Sequence, residues 1–250
     1  MRCIGVIPAR YQSTRFPGKP LASIAGKPMV QHVFERAKQA TLLDQVLVAT
    51  DDDRIRDVAV EFGAKVVMTS AGHASGTDRI AEATEDIDTE LVVNIQGDEP
   101  LIRAEIIDQA VQPLLDHPEI EMGTLVRRLE AGDLANSNVV KVVFDKHQRA
   151  LYFSRAAIPH TRNSDEEIPL EKPVYWQHIG LYVYRADFLQ QVTRYPQTSL
   201  EKAEQLEQLR ALEHGHHIHV VITEYNAVAV DTPADLERVR QLFQTTGQKI

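Results

Sequence analysis

Short apolar runs alternate with segments of helical periodicity along the first half of the chain. The apolar runs are residues 3–7, 46–49, 64–68 and 91–95, and each is typical of a buried strand. Between them, apolar side chains recur at a helical spacing, as at Val33, Phe34 and Ala37 after Pro28, a residue that suits a first helical turn. Strands that alternate with helices predict parallel βαβ units. We therefore expect an α/β fold with a doubly wound, mostly parallel, Rossmann-like sheet.

The alternation weakens after residue 122, where we predict a smaller inserted α+β region. Strands are predicted at residues 122–126, 139–144, 178–184, 217–223 and 228–230, and helices at 200–213 and around Leu236, Val239 and Phe243. Residues 161–172 are charged and lack periodicity, which indicates a mobile loop. Because no repeat or linker divides the chain, we predict a single domain over residues 1–250, with residues 123–225 containing the insertion as a lid.

Composition excludes several classes of protein. Of the 250 residues, 43% are hydrophobic and 25% are charged, as in ordinary globular domains, and the net charge of −9 argues against a nucleic-acid partner. Cys3 is the single cysteine, so no intramolecular disulfide can form, and we expect it to be a buried apolar residue. No apolar run approaches the roughly 20 residues that span a bilayer, and no signal peptide precedes the first strand. These features predict a cytoplasmic protein with no membrane partner.

A basic loop follows the first predicted strand. Arg10, Arg15 and Lys19 lie there among small residues and prolines, at the strand end where open α/β sheets bind ligands. Forked arginine donors and a compact lysine charge suit a polyphosphate. A solvated surface loop is the alternative, because the chain has no G-x-G-x-x-G, and Pro20 rather than Ser or Thr follows Gly18-Lys19, which excludes a Walker A loop.

Two aspartates follow predicted strands and are candidate Mg²⁺ ligands. Asp98 comes after residues 91–95 and Asp231 after residues 228–230, and Mg²⁺ prefers hard oxygen ligands shared with phosphates. Asp98 could equally be a turn residue. Thr232 with Asp235 resembles a helix capping box, which leaves Asp231 just outside the cap. Residues 51–53, three aspartates, are better interpreted as a helix start than as a glycosyltransferase metal motif.

Three further groups could bind ligands or serve the fold. Gln96 ends an apolar strand, so its amide needs partners, either structural or from a ligand. Ser75, Gly76 and Arg79 precede or open a helix, whose free N–H groups attract anions, although Ser75 could be an ordinary cap. The histidines between residues 214 and 219 lack the third ligand and the spacing of a zinc site.

Seven strings match one family in order. The first is Ile7-Pro8-Ala9-Arg10-x-x-Ser13-x-Arg15-x-x-x-Lys19-Pro20-Leu21. The others are Ser75-Gly76-Thr77-Asp78-Arg79, Asn94-Ile95-Gln96-Gly97-Asp98-Glu99-Pro100, Leu151-Tyr152-Phe153-Ser154-Arg155, His178-Ile179-Gly180-Leu181-Tyr182, Leu206-Glu207-Gln208-Leu209-Arg210 and Val230-Asp231-Thr232-Pro233. Together they resemble the sugar nucleotidyltransferases that make CMP-activated acidic sugars, over nearly the whole chain.

The resemblance implies a Mg²⁺-dependent enzyme that transfers CMP from CTP to an acidic 3-deoxy-ulosonic sugar, 3-deoxy-manno-octulosonate (Kdo), for lipopolysaccharide. It implies catalysis by Lys19, Asp98 and Asp231, with Mg²⁺ on the two aspartates. The nucleotide contacts implied are Arg10, Ser13, Arg15, Lys19, Ser75, Gly76 and Arg79. The sugar contacts implied are Gln96, Arg155, Arg162, His178, Tyr182, Glu207 and Gln208. The family also implies a homodimer that contacts through its middle region.

Several alternatives remain open. From the residues alone, Glu207 and Gln208 could form an exposed helical face, and Tyr182 could be core or edge packing. The string Pro159-His160-Thr161 departs from the aromatic and acidic residues expected before Arg162. The acceptor could be 8-amino-Kdo or another acidic sugar, or UTP could react with a sugar phosphate. A non-catalytic nucleotide-binding module and a glycosyltransferase are the alternatives from other classes.

Overall fold

The computed structural model describes residues 1–12, 16–73, 75–161 and 175–246. The strands are β1 (Cys3–Ala9), β2 (Ser23–Ile24), β3 (Lys27–Pro28), β4 (Gln45–Thr50), β5 (Lys65–Met68), β6 (Leu91–Asn94), β7 (Met122–Arg128), β8 (Lys141–Phe144), β9 (Ala150–Ser154), β10 (Trp176–Arg185) and β11 (Ile218–Ile222). The helices are α1 (Met29–Ala37), α2 (Asp53–Glu61), α3 (Gly76–Thr84), α4 (Ala104–Asp116), α5 (Ala186–Thr193), α6 (Ser199–Glu204), α7 (Leu209–Glu213) and α8 (Pro233–Thr246).

A central sheet runs in the order β11-β7-β10-β6-β1-β4-β5, and the β8–β9 hairpin joins it through β10. Neighbours are parallel from β6 through β1 and β4 to β5, and again between β7 and β11. Strand β10 is antiparallel to both β6 and β7. The α/β class and the mostly parallel sheet predicted from the alternation are therefore confirmed.

Both faces of the sheet are covered, which explains the continuous apolar strands. Along β1, Cys3 and Ile7 enter one core with helices α1, α2 and α4, whereas Ile4 and Val6 enter a second core with α3, α5 and α7. Cys3 is fully buried, as predicted, and burial raises the pKa of its thiol to about 12. Alternate side chains of this parallel strand enter different cores. A register shift of one residue would therefore move every side chain into the opposite core.

The prediction of one helix over residues 200–213 was wrong. Helix α6 ends at Glu204, Gln205 takes a left-handed conformation with φ of 54°, and α7 begins only at Leu209. Leu206 and Leu209 are both buried in the second core. Tertiary packing of these residues thus overrides the helical periodicity, and the break places Glu207 between the two short helices.

Other sequence expectations differ from the structure near strand ends. The strand predicted at residues 228–230 does not form, because the amide of Val230 donates to the carbonyl of Asp98 (2.9 Å) rather than to a sheet ladder. Strand β9, helix α5 and the short β2–β3 pair were not predicted. All three are short, with at most eight residues in helix α5. Apart from Thr161, the loop predicted at residues 161–172 lies outside the described residues.

None of the helices in the described part of the chain has the length and apolar character needed to cross a membrane.

Candidate active site

A cleft of about 310 Å³ opens where β1 and β6 end. Its walls come from the segments after these strands, from the start of α3 and from two distant segments near residues 207 and 231. The lining residues are Pro8, Ala9, Arg10, Lys19, Pro20, His73, Ser75, Gly76, Arg79, Gln96, Gly97, Asp98, Glu207 and Asp231. The cleft lies at the carboxyl edge of parallel strands, where open α/β sheets bind ligands.

Gly97 lets the two strand ends meet. A Cβ atom at this position would lie 2.9 Å from the carbonyl oxygen of Pro8, closer than such atoms pack. Glycine removes that clash, so the turn after β6 lies directly against the end of β1. This contact fixes where Asp98, the next residue, enters the cleft.

The loop after β1 returns Lys19 to the cleft. Gly18 has a φ of 71°, and its amide donates to the carbonyl of Tyr11 (2.8 Å), which closes the loop before a short 3₁₀ turn that starts at Lys19. The Lys19 Nζ atom then lies 2.6 Å from Oδ2 of Asp98 and 3.4 Å from Oδ1 of Asp231. The structure thus brings together three residues that are far apart in the sequence.

Asp231 is held by the start of α8. The hydroxyl of Thr232 accepts from the amide of Asp235 (3.2 Å), and the carboxylate of Asp235 accepts from the amide of Thr232 (3.0 Å). This reciprocal pair confirms the capping interpretation of Thr232 and Asp235. Because Asp235 supplies the capping carboxylate, the side chain of Asp231 remains directed at Lys19.

The two aspartates fit a Mg²⁺ ion. Their oxygens converge on one cationic atom, Lys19 Nζ, so the position between them already favours positive charge. Within the described ranges, no third acidic, histidine or cysteine side chain joins them in a metal-binding group. Two carboxylates with substrate phosphates and water form the ligand set that Mg²⁺ usually takes.

Glu99 lies buried directly behind Asp98. Burial and, to a smaller extent, the charge of Asp98 raise the pKa of the Glu99 carboxyl to about 8, whereas the facing hydroxyl of Tyr225 partly opposes the shift. Glu99 is therefore mostly protonated at neutral pH. It adds little negative charge beneath the two aspartates.

The N-terminus of α3 forms the opposite wall. Ser75 is its N-cap and accepts from the amide of Asp78 (3.1 Å), while Gly76 packs against the ring of Pro8. Arg79 is only 4% exposed and donates to the hydroxyl of Thr69 (2.5 Å). Its other terminal nitrogen lies 3.2 Å from Oδ1 of Asp51. The guanidinium is thus fixed at the cleft edge by partners on both sides.

His73 was not identified from the sequence. It lines the cleft, and its Nε2 contacts the carboxylate of Glu82, which also accepts from the amide of Ser70 (2.9 Å). The hydrogen bond from His73 is the main reason that the pKa of Glu82 is lowered. No sequence pattern distinguishes His73 from a solvent-exposed residue of this polar loop.

A smaller compartment of about 170 Å³ adjoins the cleft and shares Gly76, Gln96 and Glu207 with it. It is also lined by Thr77, Asn94, Tyr182, Tyr184, Gln205, Leu206 and Gln208. The amide of Gln96 donates to the carbonyl of Gly180 (2.9 Å), so this polar residue is satisfied within the fold. Gln208 is only 5% exposed, and its Nε2 lacks a hydrogen-bond partner among the described residues.

His178 lies behind Tyr182. The two ring centroids are 5.3 Å apart, and His178 Nε2 lies 2.9 Å from the hydroxyl of Thr124. Desolvation lowers the pKa of His178 to about 3 and raises that of Tyr182 well above 10. Both side chains are therefore neutral at physiological pH and offer uncharged donors and acceptors.

Arg155 does not line either cavity. Its Nε donates to the carbonyl of Glu204 (2.8 Å) and a terminal nitrogen donates to the carbonyl of Ser137 (3.1 Å), so the guanidinium holds the end of α6. Ser13, Arg15 and Arg162 lie outside the described residues.

A family model described as Cytidylyltransferase matches residues 4–218. The chain belongs to the cytidylyltransferase family. This cytidylyltransferase is 52% identical, over 98% of its own length and 96% of the relative's, to a 3-deoxy-manno-octulosonate cytidylyltransferase of Solibacter usitatus. It is also 52% identical to the protein of that name from Geobacter sulfurreducens, over 96% of its own length and 98% of the relative's.

A solved structure described as CMP:2-keto-3-deoxy-manno-octonic acid synthetase complexed with CTP is similar in fold. The TM-score is 0.92 at 43% identity, covering 98% of this cytidylyltransferase and 99% of that chain.

Proposed function

We propose that this enzyme transfers CMP from CTP to Kdo, which yields CMP-Kdo and pyrophosphate. The names of relatives that match nearly the whole chain support this acceptor and this nucleotide. The structural observation that carries the proposal is the placement of Lys19 between Asp98 and Asp231 at one end of the cleft. Phosphoryl-type transfer depends on such positioning and charge neutralisation more than on covalent chemistry.

We assign the triphosphate to the basic end of the cleft. Arg10 and Lys19 line it, and Ser13 and Arg15 belong to the same loop. The remaining nucleotide would extend toward Ser75, Gly76 and Arg79, where the free N–H groups at the start of α3 supply donors. The positive groups of the loop would offset the charge that develops on the departing pyrophosphate.

We propose Asp98 and Asp231 as the residues that would hold Mg²⁺. When bound, the metal would supply charge neutralisation to the α-phosphate and lower the pKa of the acceptor hydroxyl. Lys19 would then turn from the carboxylates to the phosphates, since its flexible stem allows either set of partners. Asp98 and Asp231 would keep their mutual spacing through the Val230–Asp98 backbone hydrogen bond.

We assign the acidic sugar to the adjoining compartment and its approaches. Gln96, Tyr182, Glu207 and Gln208 line it, His178 lies behind it, and Arg155 and Arg162 complete the predicted sugar contacts. The anomeric hydroxyl would attack the α-phosphorus, so a new P–O bond forms while the α–β phosphoanhydride bond breaks. Pyrophosphate takes the bonding electrons, and the hydroxyl proton passes to water.

We further propose that residues 1–250 act as one nucleotidyltransferase domain. The region 123–225 would supply the sugar-side lid and the contacts of a homodimer. In the structure this region contributes β7, β10 and β11 to the main sheet and the β8–β9 hairpin beside it. Light scattering at several protein concentrations tests the dimer. The cytoplasmic location stays a prediction from sequence.

The experiment that tests the function is pyrophosphate release with Mg²⁺. CTP, UTP and ATP are each combined with Kdo, 8-amino-Kdo and N-acetylneuraminate, and UTP is also combined with a sugar phosphate. Release confined to CTP with Kdo is the expected result. Preference for another acidic sugar would overturn the acceptor but keep the reaction. Tight CTP binding without release from any pair would indicate a nucleotide-binding module instead.

A further inference from the structure

A short hydrogen bond joins the start of α3 to the segment between α6 and α7. The hydroxyl of Thr77 donates to Oε2 of Glu207 at 2.6 Å. Glu207 lines both the nucleotide cleft and the adjoining compartment, whereas Thr77 lines only the compartment. We propose that Thr77 is a positioning residue that orients the Glu207 carboxylate toward the hydroxyls of the acceptor sugar. This inference rests on the proposed function.

The surroundings of Glu207 show why its carboxylate needs a fixed partner. The side chain is open to the cleft, but the concave wall removes much of its hydration, and this desolvation raises its pKa. The Thr77 hydrogen bond is the largest opposing effect, and Ser75 and Arg210 lower the pKa further. Asp78, which faces it from α3, raises the pKa.

Two tyrosines of β10 complete the charged and titratable groups around Glu207. Tyr182 and Tyr184 both feel its charge, and the pKa of each is raised, mainly by burial. Both tyrosines therefore stay neutral at physiological pH, and the Tyr184 hydroxyl also hydrogen-bonds with Thr77. Among the groups around Glu207, the Thr77 hydroxyl has the largest lowering effect on its pKa.

A separate contact keeps the two elements docked. Arg210 in α7 binds the carboxylate of Glu201 in α6 through two nitrogens, at 2.9 Å and 2.5 Å, and another nitrogen lies 3.9 Å from Asp78 of α3. Both side chains of this pair are buried. Loss of the Thr77 hydroxyl should therefore disturb the direction of the Glu207 carboxylate rather than the packing of the helices.

The test compares Thr77→Val, which keeps the shape and removes the hydroxyl, with Thr77→Ser, which keeps the hydroxyl. Thr193→Val is the control, because among the described residues the Thr193 hydroxyl donates to carbonyls of its own helix, α5. In Thr77→Val the KM for Kdo should rise about tenfold or more, the order expected for a hydrogen bond to a charged group. The KM for CTP should change less than about twofold, and Thr77→Ser should stay close to the unmodified enzyme.

A pH profile separates positioning from a general structural effect. Because the lost bond lowers the pKa of Glu207, the acidic limb of kcat/KM for Kdo should move to higher pH in Thr77→Val. The double variant Thr77→Val with Glu207→Gln should be no weaker than Glu207→Gln alone. An unchanged acidic limb, an equal rise in both KM values, or a Thr77→Ser variant as impaired as Thr77→Val would each overturn the inference.

A titration of the free enzyme tests the same bond without turnover. The ¹³C resonance of the Glu207 side-chain carboxyl should titrate at higher pH in Thr77→Val than in the unmodified protein. An identical titration would overturn the inference even if the enzyme is active. If instead no sugar supports pyrophosphate release, the proposed function fails, while this titration still decides whether Thr77 controls Glu207.

Discussion

The amide of Val230 donates to the carbonyl of Asp98 at 2.9 Å and ties the last third of the chain to the turn after β6. The residue after Val230 is Asp231, so the backbone bond sets the spacing of two carboxylates that share Lys19. Two carboxylates that share one lysine repel each other, and the backbone hydrogen bond helps to hold them in place. The fold therefore holds the pair together before any ligand arrives.

Asp98→Asn should lower kcat by about a hundredfold or more while CTP binding largely survives. The amide keeps the shape but loses the charge that we assign to Mg²⁺, an interaction that contributes several kcal/mol to such reactions. Steady-state kinetics and CTP calorimetry measure the two effects. Asp116→Asn is the control, since Asp116 is exposed at the end of α4. Normal turnover in Asp98→Asn would refute the metal assignment.

Lys19→Met should change metal binding and turnover in opposite directions. The ammonium of Lys19 now competes for the two carboxylates, so Mg²⁺ should bind the nucleotide-free variant about fivefold more tightly, as expected for a partly exposed ion pair of about 1 kcal/mol. Turnover should fall, because the triphosphate loses a cation. Calorimetry with MgCl₂ and pyrophosphate release measure both.

The control for Lys19→Met is Lys27→Met, because Lys27 pairs with Glu35 on the surface. Neither Mg²⁺ binding nor turnover should change in that variant. Weaker Mg²⁺ binding by the nucleotide-free Lys19→Met protein would show that the lysine supports the metal site instead of competing with it.

Gly97→Ala should reduce both stability and turnover. The added Cβ would lie 2.9 Å from the Pro8 carbonyl, so the turn before Asp98 must shift, at a cost of about 1–3 kcal/mol in the free energy of unfolding. A displacement of Asp98 should lower kcat as well. Urea denaturation and kinetics measure these effects. Gly132→Ala is the control, because its added Cβ meets no described atom within 4 Å beyond its own turn and chain neighbours.

His178 should make the fold less stable in mild acid. Its pKa is about 3 in the folded protein and 6.5 in the reference state, so the unfolded chain binds a proton first as the pH falls below 6.5. Between pH 7 and pH 5 this difference should remove about 1–2 kcal/mol from the free energy of unfolding. His178→Gln should lose that part of the pH dependence in urea denaturation.

His147→Gln is the control for the pH experiment, since His147 is exposed in the turn between β8 and β9. It should leave the pH dependence of stability unchanged. If His178→Gln retains the full dependence of the unmodified protein, the folded protein protonates His178 readily, and its environment is more hydrated than the structure indicates.

The sequence predicts the first half of the fold well because periodicity and burial agree there. In β1, two cores require apolar residues on both faces, which produces a short uninterrupted run. Helix α2 likewise begins at a recognisable cap, Asp52, which accepts from the amide of Arg54 (3.0 Å). Local sequence patterns predict an element correctly where its own residues provide its burial pattern and its cap.

The rest depended on partners far away in the chain. The break at Gln205 follows from burial of Leu206 and Leu209, and residues 228–230 stay out of the sheet because Val230 binds Asp98. Thr77 gains its role from the distant Glu207, while His73 contacts Glu82 on the next helix. The assignments of site residues came from matched strings, and individual spacing or charge would not have distinguished them from surface residues.

The order of the strands also has a consequence for synthesis on the ribosome. Strands β6, β1, β4 and β5 are neighbours in the sheet, and all four precede residue 95, so this half can assemble while the later segments are still being translated. Strand β10 then joins it to β7 and β11. Asp231 is translated long after these four strands. We therefore expect a nascent chain to become compact well before it can carry out catalysis.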